Sequence, residues 1–274
     1  MFLLTLTEET ITMSAETPVQ AWPLPSRRKN QLRLRQLRVQ SKTQIGSFWR
    51  ICLTGDDLQG FTSHSFDDHI KLFFPDAENG ELVLPEVGDQ GVVWPEGKRP
   101  QSRDYTPLAY DAAANTLTLD FFIHPGGLAS GWAEKAQPGD PLVIGGPRGS
   151  FCMPLEYAFQ LYLCDESSLP ALGRRLAEIA AAQIDAEIHV MIMADEAQTR
   201  AYLPSLANVT CHFLPAGDVD AALSALAELA IPQQGYFLWL TGEGDRVKTL
   251  IDYLTEQRGI NENYLRGVAY WHRK

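Results

Sequence analysis

The sequence predicts two domains, an antiparallel β-barrel followed by an α/β domain built on a parallel sheet. Three observations predict it. At 274 residues the chain is long enough for two cores of ordinary size. Residues 30–154 are a series of short strand-like runs broken by turn residues. Residues 155–274 alternate apolar runs of strand length with segments of helical period. Residues 1–29 mix Thr, Glu and Pro without sustained periodicity, and they are expected to form a flexible extension.

In the first domain LRLRQLRVQ (32–40) alternates apolar and basic residues, FWRICLTG (48–55) is aromatic and β-branched, and DHIKLFFP (68–75) ends at a proline. ELVLP (81–85), RDYTPLAY (103–110), TLTLDFFIH (116–124) and DPLVIGGP (140–147) complete the set of strands. A single helix, ASGWAEKA (129–136), interrupts them and stops before Pro138 and Gly139. In the second domain the strands FQLYLCDE (159–166), EIHVMIMAD (187–195), VTCHFLP (209–215) and GYFLWLTGE (235–243) each precede a helical segment. Three of those helices are expected at 171–183, 218–229 and 245–259, and a shorter one follows residue 195. Apolar strands between helices imply a parallel sheet covered on both faces.

Composition narrows the function classes. Thirty-four acidic and 23 basic residues give a net charge of −11, which disfavours binding to a nucleic-acid backbone. The basic residues Arg27, Arg28, Lys29, Arg33, Arg35 and Arg38 lack interleaved aromatics and are expected on a solvated strand edge. No apolar run approaches the roughly 18 residues that cross a bilayer, so no membrane association is expected. The apolar start MFLL lacks the basic leading region and cleavage site of a signal peptide. Cys52, Cys152, Cys164 and Cys211 form no paired motif, which points to reduced thiols, a cytoplasmic location and no metal site.

Two constellations in the first domain can hold a nucleotide. On an extended strand Arg103 and Tyr105 share one side and Thr106 lies at its edge, so a guanidinium fork and a flat phenol face one surface. His124-Pro-Gly-Gly127-Leu-Ala129-Ser130 places small residues before a helix, where free backbone N–H groups favour an anion. Each has a plainer alternative, an edge strand with a surface Arg and a glycine turn capped by Ser130. In the second domain Asp165, Glu166 and Ser167 end a strand, as do Thr241, Gly242 and Glu243, and ligands of open α/β sheets bind at such ends. A capping turn is the alternative there. Asp195 suits a ribose 2′-hydroxyl and Arg200 a 2′-phosphate, which leaves NADH and NADPH both open. There is no GxGxxG fingerprint.

Residues 103–106 (RDYT), 119–151 and 164–172 (CDESSLPAL), with HIKLFFP at 69–75, WLTGE at 239–243 and the tail Tyr270-Trp271-His272-Arg273, resemble the siderophore-interacting proteins. These are flavin-containing ferric-siderophore reductases related to ferredoxin reductases. The resemblance covers residues 30–274 and implies an FAD-binding barrel at 30–154 and an NAD(P)H-binding domain at 155–274. It implies that Arg103 contacts the FAD phosphates, Tyr105 packs on the isoalloxazine and Thr106 reaches its polar edge. Ala129 and Ser130 would present N–H groups to the pyrophosphate, with His69 and Lys71 beside the flavin.

The reaction so implied passes hydride from NAD(P)H to FAD and then single electrons to Fe(III) in a siderophore, with no catalytic acid or base and no protein-bound metal. Lys71, Arg246, Lys248 and Lys274, with His272 and Arg273, would form a local basic funnel for the anionic chelate. A monomer is expected, and whether a ferredoxin supplies electrons is left open. A general flavin or ferredoxin-type reductase and a non-catalytic siderophore-binding protein are the competing readings.

Overall fold

In the computed structural model, which describes residues 22–76, 78–88, 91–98, 100–203 and 209–273, the first half is a seven-stranded antiparallel sheet. Its strands are β2 (Leu34–Ile45), β3 (Phe48–Thr54), β4 (Ile70–Phe74), β7 (Gln101–Tyr105), β8 (Ala109–Asp111), β9 (Thr116–Phe122) and β10 (Pro141–Gly145). They lie in the order β7-β4-β10-β2-β3-β9-β8. The sheet rolls up: Tyr105 on the outermost strand β7 meets Phe121 of β9, ring centroids 4.5 Å apart. Inward residues at alternate positions, among them Leu37, Val39, Ile51, Leu53, Leu117, Leu119 and Phe121, fill the interior.

Helix α1 (Leu128–Lys135) closes the barrel, setting Ala129, Ala133 and Trp132 against that core. Two short pairs complete this half, β1 (Ser26–Lys29) with β11 (Gly149–Cys152), and the hairpin β5 (Glu86–Gly88) with β6 (Gly91–Val93).

The second half is a five-stranded parallel sheet in the order β14-β13-β12-β15-β16. Its strands are β12 (Phe159–Cys164), β13 (Glu187–Met193), β14 (Thr210–Leu214), β15 (Tyr236–Glu243) and β16 (Leu265–Trp271). Helices α2 (Leu169–Ala181), α3 (Glu196–Tyr202), α4 (Val219–Glu228) and α5 (Gly244–Asp252) make the crossovers, and α5 runs on into a π-helical turn at Tyr253–Gln257. Every residue of the central strands β12 and β15 is buried, as two covered faces require.

Several expectations are corrected. The proposed extension reaches residue 29, yet β1 pairs along its length with β11, and the carbonyls of Trp22 and Pro23 accept from Tyr264 and Tyr157; residues 1–21 lie outside the described part. No strand forms at 81–85, and the pairing begins at Glu86. Residues 103–110 split into β7 and β8, because Pro107 has no N–H to offer a ladder. Arg35 is not on a solvated edge: it alternates inward with Leu37 and Val39, is 2% exposed, and donates to the Gly146 carbonyl at 3.0 Å. β16, at Leu265–Trp271, lies beyond the strands that the sequence predicts.

Candidate functional site

The residues expected at a flavin are placed by β4, β7 and α1. Register sets Ile70 opposite Tyr105, Lys71 opposite Asp104 and Leu72 opposite Arg103, which brings His69 and Lys71 beside the RDYT segment. Arg103 is exposed, and among the described residues its one hydrogen bond is to the Ser102 carbonyl, so most of its fork is available to a phosphate. Tyr105 leans on Phe121, and burial pushes its phenol well above the ordinary range, so the ring is neutral and flat.

The N-cap of α1 is Gly127, not Ser130; the Ser130 hydroxyl instead accepts from the His124 N–H at 3.1 Å. The first-turn amides of α1 therefore have no side-chain cap. His124 lies so close over Gly127 that a Cβ there would overlap its ring. An uncapped helix start, a side-chain-free approach and an uncommitted guanidinium suit the pyrophosphate of a dinucleotide.

On the other side, the ends of β12 and β15 hold one another. Asp165 Oδ1 accepts from the Ser167 N–H (3.0 Å) and hydroxyl (2.5 Å), while Oδ2 accepts from the Trp271 indole at 2.8 Å. Gly242, at φ +141, passes so close to this carboxylate that a Cβ would stand 2.8 Å from Oδ2. Glu243 is the N-cap of α5, accepting from the Arg246 N–H at 3.2 Å. Thr241 is fully buried, with no hydrogen-bond partner for its hydroxyl among the described residues. Burial, followed by the charge of Asp165, raises the Glu166 carboxyl against the opposing pull of its own backbone and of Arg246. The capping turn read as the alternative is thus real, with Asp165 as its acceptor.

The two sides meet. Burial first, then the charge of Asp67, raises the Tyr270 phenol of β16 and the nearby Thr106 hydroxyl opposes that rise; Tyr270 stands one residue before the Trp271 that holds Asp165. Arg174 of α2 donates to the Pro107 carbonyl (3.1 Å), the Ser63 hydroxyl (2.7 Å) and the Ser63 carbonyl (2.9 Å). Arg266 of β16 reaches Asp67 at 3.1 Å. A cavity of about 320 Å³ opens beside the Pro107 loop, lined by Phe61, His64, Leu108, Tyr110 and Arg174. None of the sequence-predicted binding residues lines it.

The expected basic funnel is less charged than its residue types suggest. Lys71 is paired with Asp104 at 2.7 Å, and Lys248 with Asp252 along the exposed face of α5. Arg246 lies over the Trp271 ring, 5.9 Å from its centroid. Lys274 lies outside the described residues. Asp195 caps α3 by accepting from the Gln198 N–H, and Arg200 is bound to Glu196 at 2.7 Å, so neither side chain is idle. Among the described residues no group of three or more His, Cys, Asp or Glu could hold a metal ion, and no helix is long and apolar enough to cross a membrane.

Residues 38–151 match the family model of the siderophore-interacting FAD-binding domain, and residues 157–274 match that of the siderophore-interacting protein. The chain belongs to the siderophore-interacting protein family. The first match ends within β11 and the second begins before β12, so the family's two halves are those of the fold.

Among its relatives, the NADPH-dependent ferric-chelate reductase of Escherichia coli is 46% identical over 251 residues, covering 91% of this chain and 97% of that protein. The ferric vibriobactin reductase of Vibrio cholerae is 30% identical over 244 residues, covering 86% and 88%. A siderophore utilization protein from T. fusca superposes with a TM-score of 0.81 at 32% identity, covering 91% of this chain and 96% of that one.

Sequence reasoning missed Arg174, Asp67 and Arg266, which tie the halves together. Each is a charged residue in a stretch without a motif, so only the partner across the fold gives it meaning.

Proposed function

We propose that this chain is a cytoplasmic NADPH-dependent ferric-siderophore reductase that works with bound FAD. The observation that carries the reading is the hydrogen bond from Arg174 of α2, in the nicotinamide half, to the Pro107 carbonyl, which directly follows the flavin-side RDYT motif. The relatives named as ferric-chelate and ferric vibriobactin reductases support the same substrate class. One chain carries both the flavin-binding and the nicotinamide-binding half, so a monomer suffices and no ferredoxin is required.

Bound FAD would supply the conversion of a two-electron donor into one-electron delivery, and Fe(II) fits the hard oxygen ligands of a siderophore less well than Fe(III). The protein binds and orients. Arg103 and the amides of Ala129 and Ser130 hold the pyrophosphate, while Gly127 and His124 shape the approach to it. Tyr105 supports the ring system, and Thr106 presents its oxygen to the polar edge, with His69 alongside.

The strand ends carrying Asp165, Glu166, Ser167, Thr241, Gly242 and Glu243 receive the nicotinamide nucleotide, chiefly through backbone groups, because the carboxylates of Asp165 and Glu243 are engaged as caps. Arg246, Lys248, Lys71 and Lys274 attract the anionic chelate through the local field. The test is steady-state reduction of ferric citrate by the FAD-loaded protein with a ferrous trap. Replacing Arg246 and Lys71 together should raise KM for the chelate without slowing flavin reduction by NADPH. An unchanged KM at low salt would remove them from the substrate site.

A further inference from the structure

Asp120 is a buried carboxylate at the junction of the two halves. Its side chain is fully buried, and three donors converge on it. Arg50, directly opposite on β3, donates through Nε to Oδ1 at 2.8 Å and through Nη2 to Oδ2 at 2.7 Å. Tyr202, the last residue of α3 in the other half, donates its hydroxyl to Oδ2 at 2.5 Å. Burial, with the charge of Asp120 next, holds the Tyr202 phenol far above its ordinary range, so it remains a donor at neutral pH.

The surroundings are apolar: Phe48 stacks on Tyr202 at 4.1 Å and meets Phe122 at 5.4 Å. Apolar packing is non-directional and lets elements slide, whereas a three-donor fork on one carboxylate fixes an angle. Burying a charge this way adds little net stability, whereas its directional bonds constrain how α3 meets β9.

The pinned elements also line a narrow crevice of about 20 Å³ between the two halves. Phe48 and Phe122 form one wall, and Glu166, Asp195, Gln198 and Thr199 form the other. Asp120 and Phe122 share one face of β9, two residues apart, while Thr199 and Gln198 are three and four residues before Tyr202 on one face of α3. Glu166 and Asp195 of the second wall stand two residues past the C-terminal ends of β12 and β13, the side of a parallel sheet on which ligands are received.

We propose that Tyr202, acting through Asp120 and Arg50, is a positioning residue for hydride transfer, pinning α3 to β9 and so setting how the nicotinamide half faces the flavin half. The inference rests on the reductase reading above. It predicts a split between half-reactions, because hydride transfer needs both halves aligned and electron delivery to a chelate needs the reduced flavin alone.

The experiment is anaerobic stopped-flow on the FAD-loaded protein. With Tyr202→Phe, flavin reduction at saturating NADPH should slow by about tenfold or more, since small misplacements at a reacting centre have large costs. Reoxidation of the dithionite-reduced variant by ferric citrate should stay within about twofold of the parent, with FAD content retained and the variant still folded at the assay temperature by its Tm. The double variant Tyr202→Phe/Asp120→Asn should be no slower than the slower single variant, because the pair acts as one unit. Parental rates of reduction in Tyr202→Phe would overturn the proposal, as would equal slowing of both half-reactions. If the reduced parent fails to pass electrons to ferric citrate, the substrate reading falls, while the NADPH arm still decides the role of Tyr202.

Discussion

The indole N–H of Trp271 donates to Asp165 Oδ2 across 2.8 Å, joining the last strand of the chain to the turn that follows β12. The two residues are 106 positions apart, and their bond places the C-terminal aromatic pair Tyr270-Trp271 over the ends of the parallel strands. Replacing Asp165 with Ala removes the acceptor for the indole, for the Ser167 amide and for the Ser167 hydroxyl. The expected cost is about 1–3 kcal/mol of stability, read from urea denaturation, together with a raised KM for NADPH. Stability within about 0.5 kcal/mol of the parent would show that the bond holds nothing in place.

Arg103→Ala should weaken FAD binding by roughly ten- to hundredfold, the equivalent of about 1.5–3 kcal/mol of charged hydrogen bonds. Flavin content after dialysis measures it. Full retention of flavin would take Arg103 out of the phosphate site.

Arg174 bridges the halves through three hydrogen bonds to Ser63 and Pro107. Arg174→Met keeps much of the apolar stem but removes the donors, and it should cost about 1.5–3 kcal/mol. Because the Pro107 carbonyl follows directly on Thr106, a shift in the flavin absorbance bands should accompany the loss. An unchanged spectrum with reduced stability would confine Arg174 to a structural part.

Gly242→Ala combines a backbone at φ +141 with a Cβ placed 2.8 Å from Asp165 Oδ2. The strained conformation alone costs on the order of 1–3 kcal/mol. Thermal unfolding should register it, and pairing the change with Asp165→Ala should recover part of the loss, since the steric partner is then gone.

Glu166 carries a pH signature. Burial first, then Asp165, raises its carboxyl above the ordinary 4.5, so the folded state binds its proton more tightly than the unfolded state does. The stability this contributes is present below the unfolded value and is lost as pH rises through the folded one. Glu166→Gln removes that loss. Its Tm relative to the parent should therefore rise between pH 4 and pH 7, and a difference that is flat with pH would show that Glu166 titrates normally.

Much of this was legible in the sequence, because local chemistry dictated it. β12 and β15 are continuous apolar runs with a helix after each, and α1 follows a run of small residues. The RDYT segment was readable because a strand period fixes which side chains share a face. Illegible were features that depend on a distant partner. β16 (LRGVAYW) has no fully buried position and no helix after it to give the strand-then-helix rhythm, and it takes its place by pairing with the edge of β15. Arg35 reads as one of several surface arginines until the Gly146 carbonyl and the Phe61 ring receive it. Lys71 reads as a free cation until register brings Asp104 opposite.

The central claim is that this chain passes electrons from NADPH through FAD to a ferric siderophore, and one anaerobic titration tests it most directly. The purified protein should show flavin absorbance that bleaches on adding NADPH. The absorbance should return on adding a ferric siderophore, with two iron(II) ions trapped for each flavin reoxidised, as two stored electrons require. A colourless protein that binds no FAD, or a reduced flavin that the ferric siderophore leaves bleached, would contradict the account.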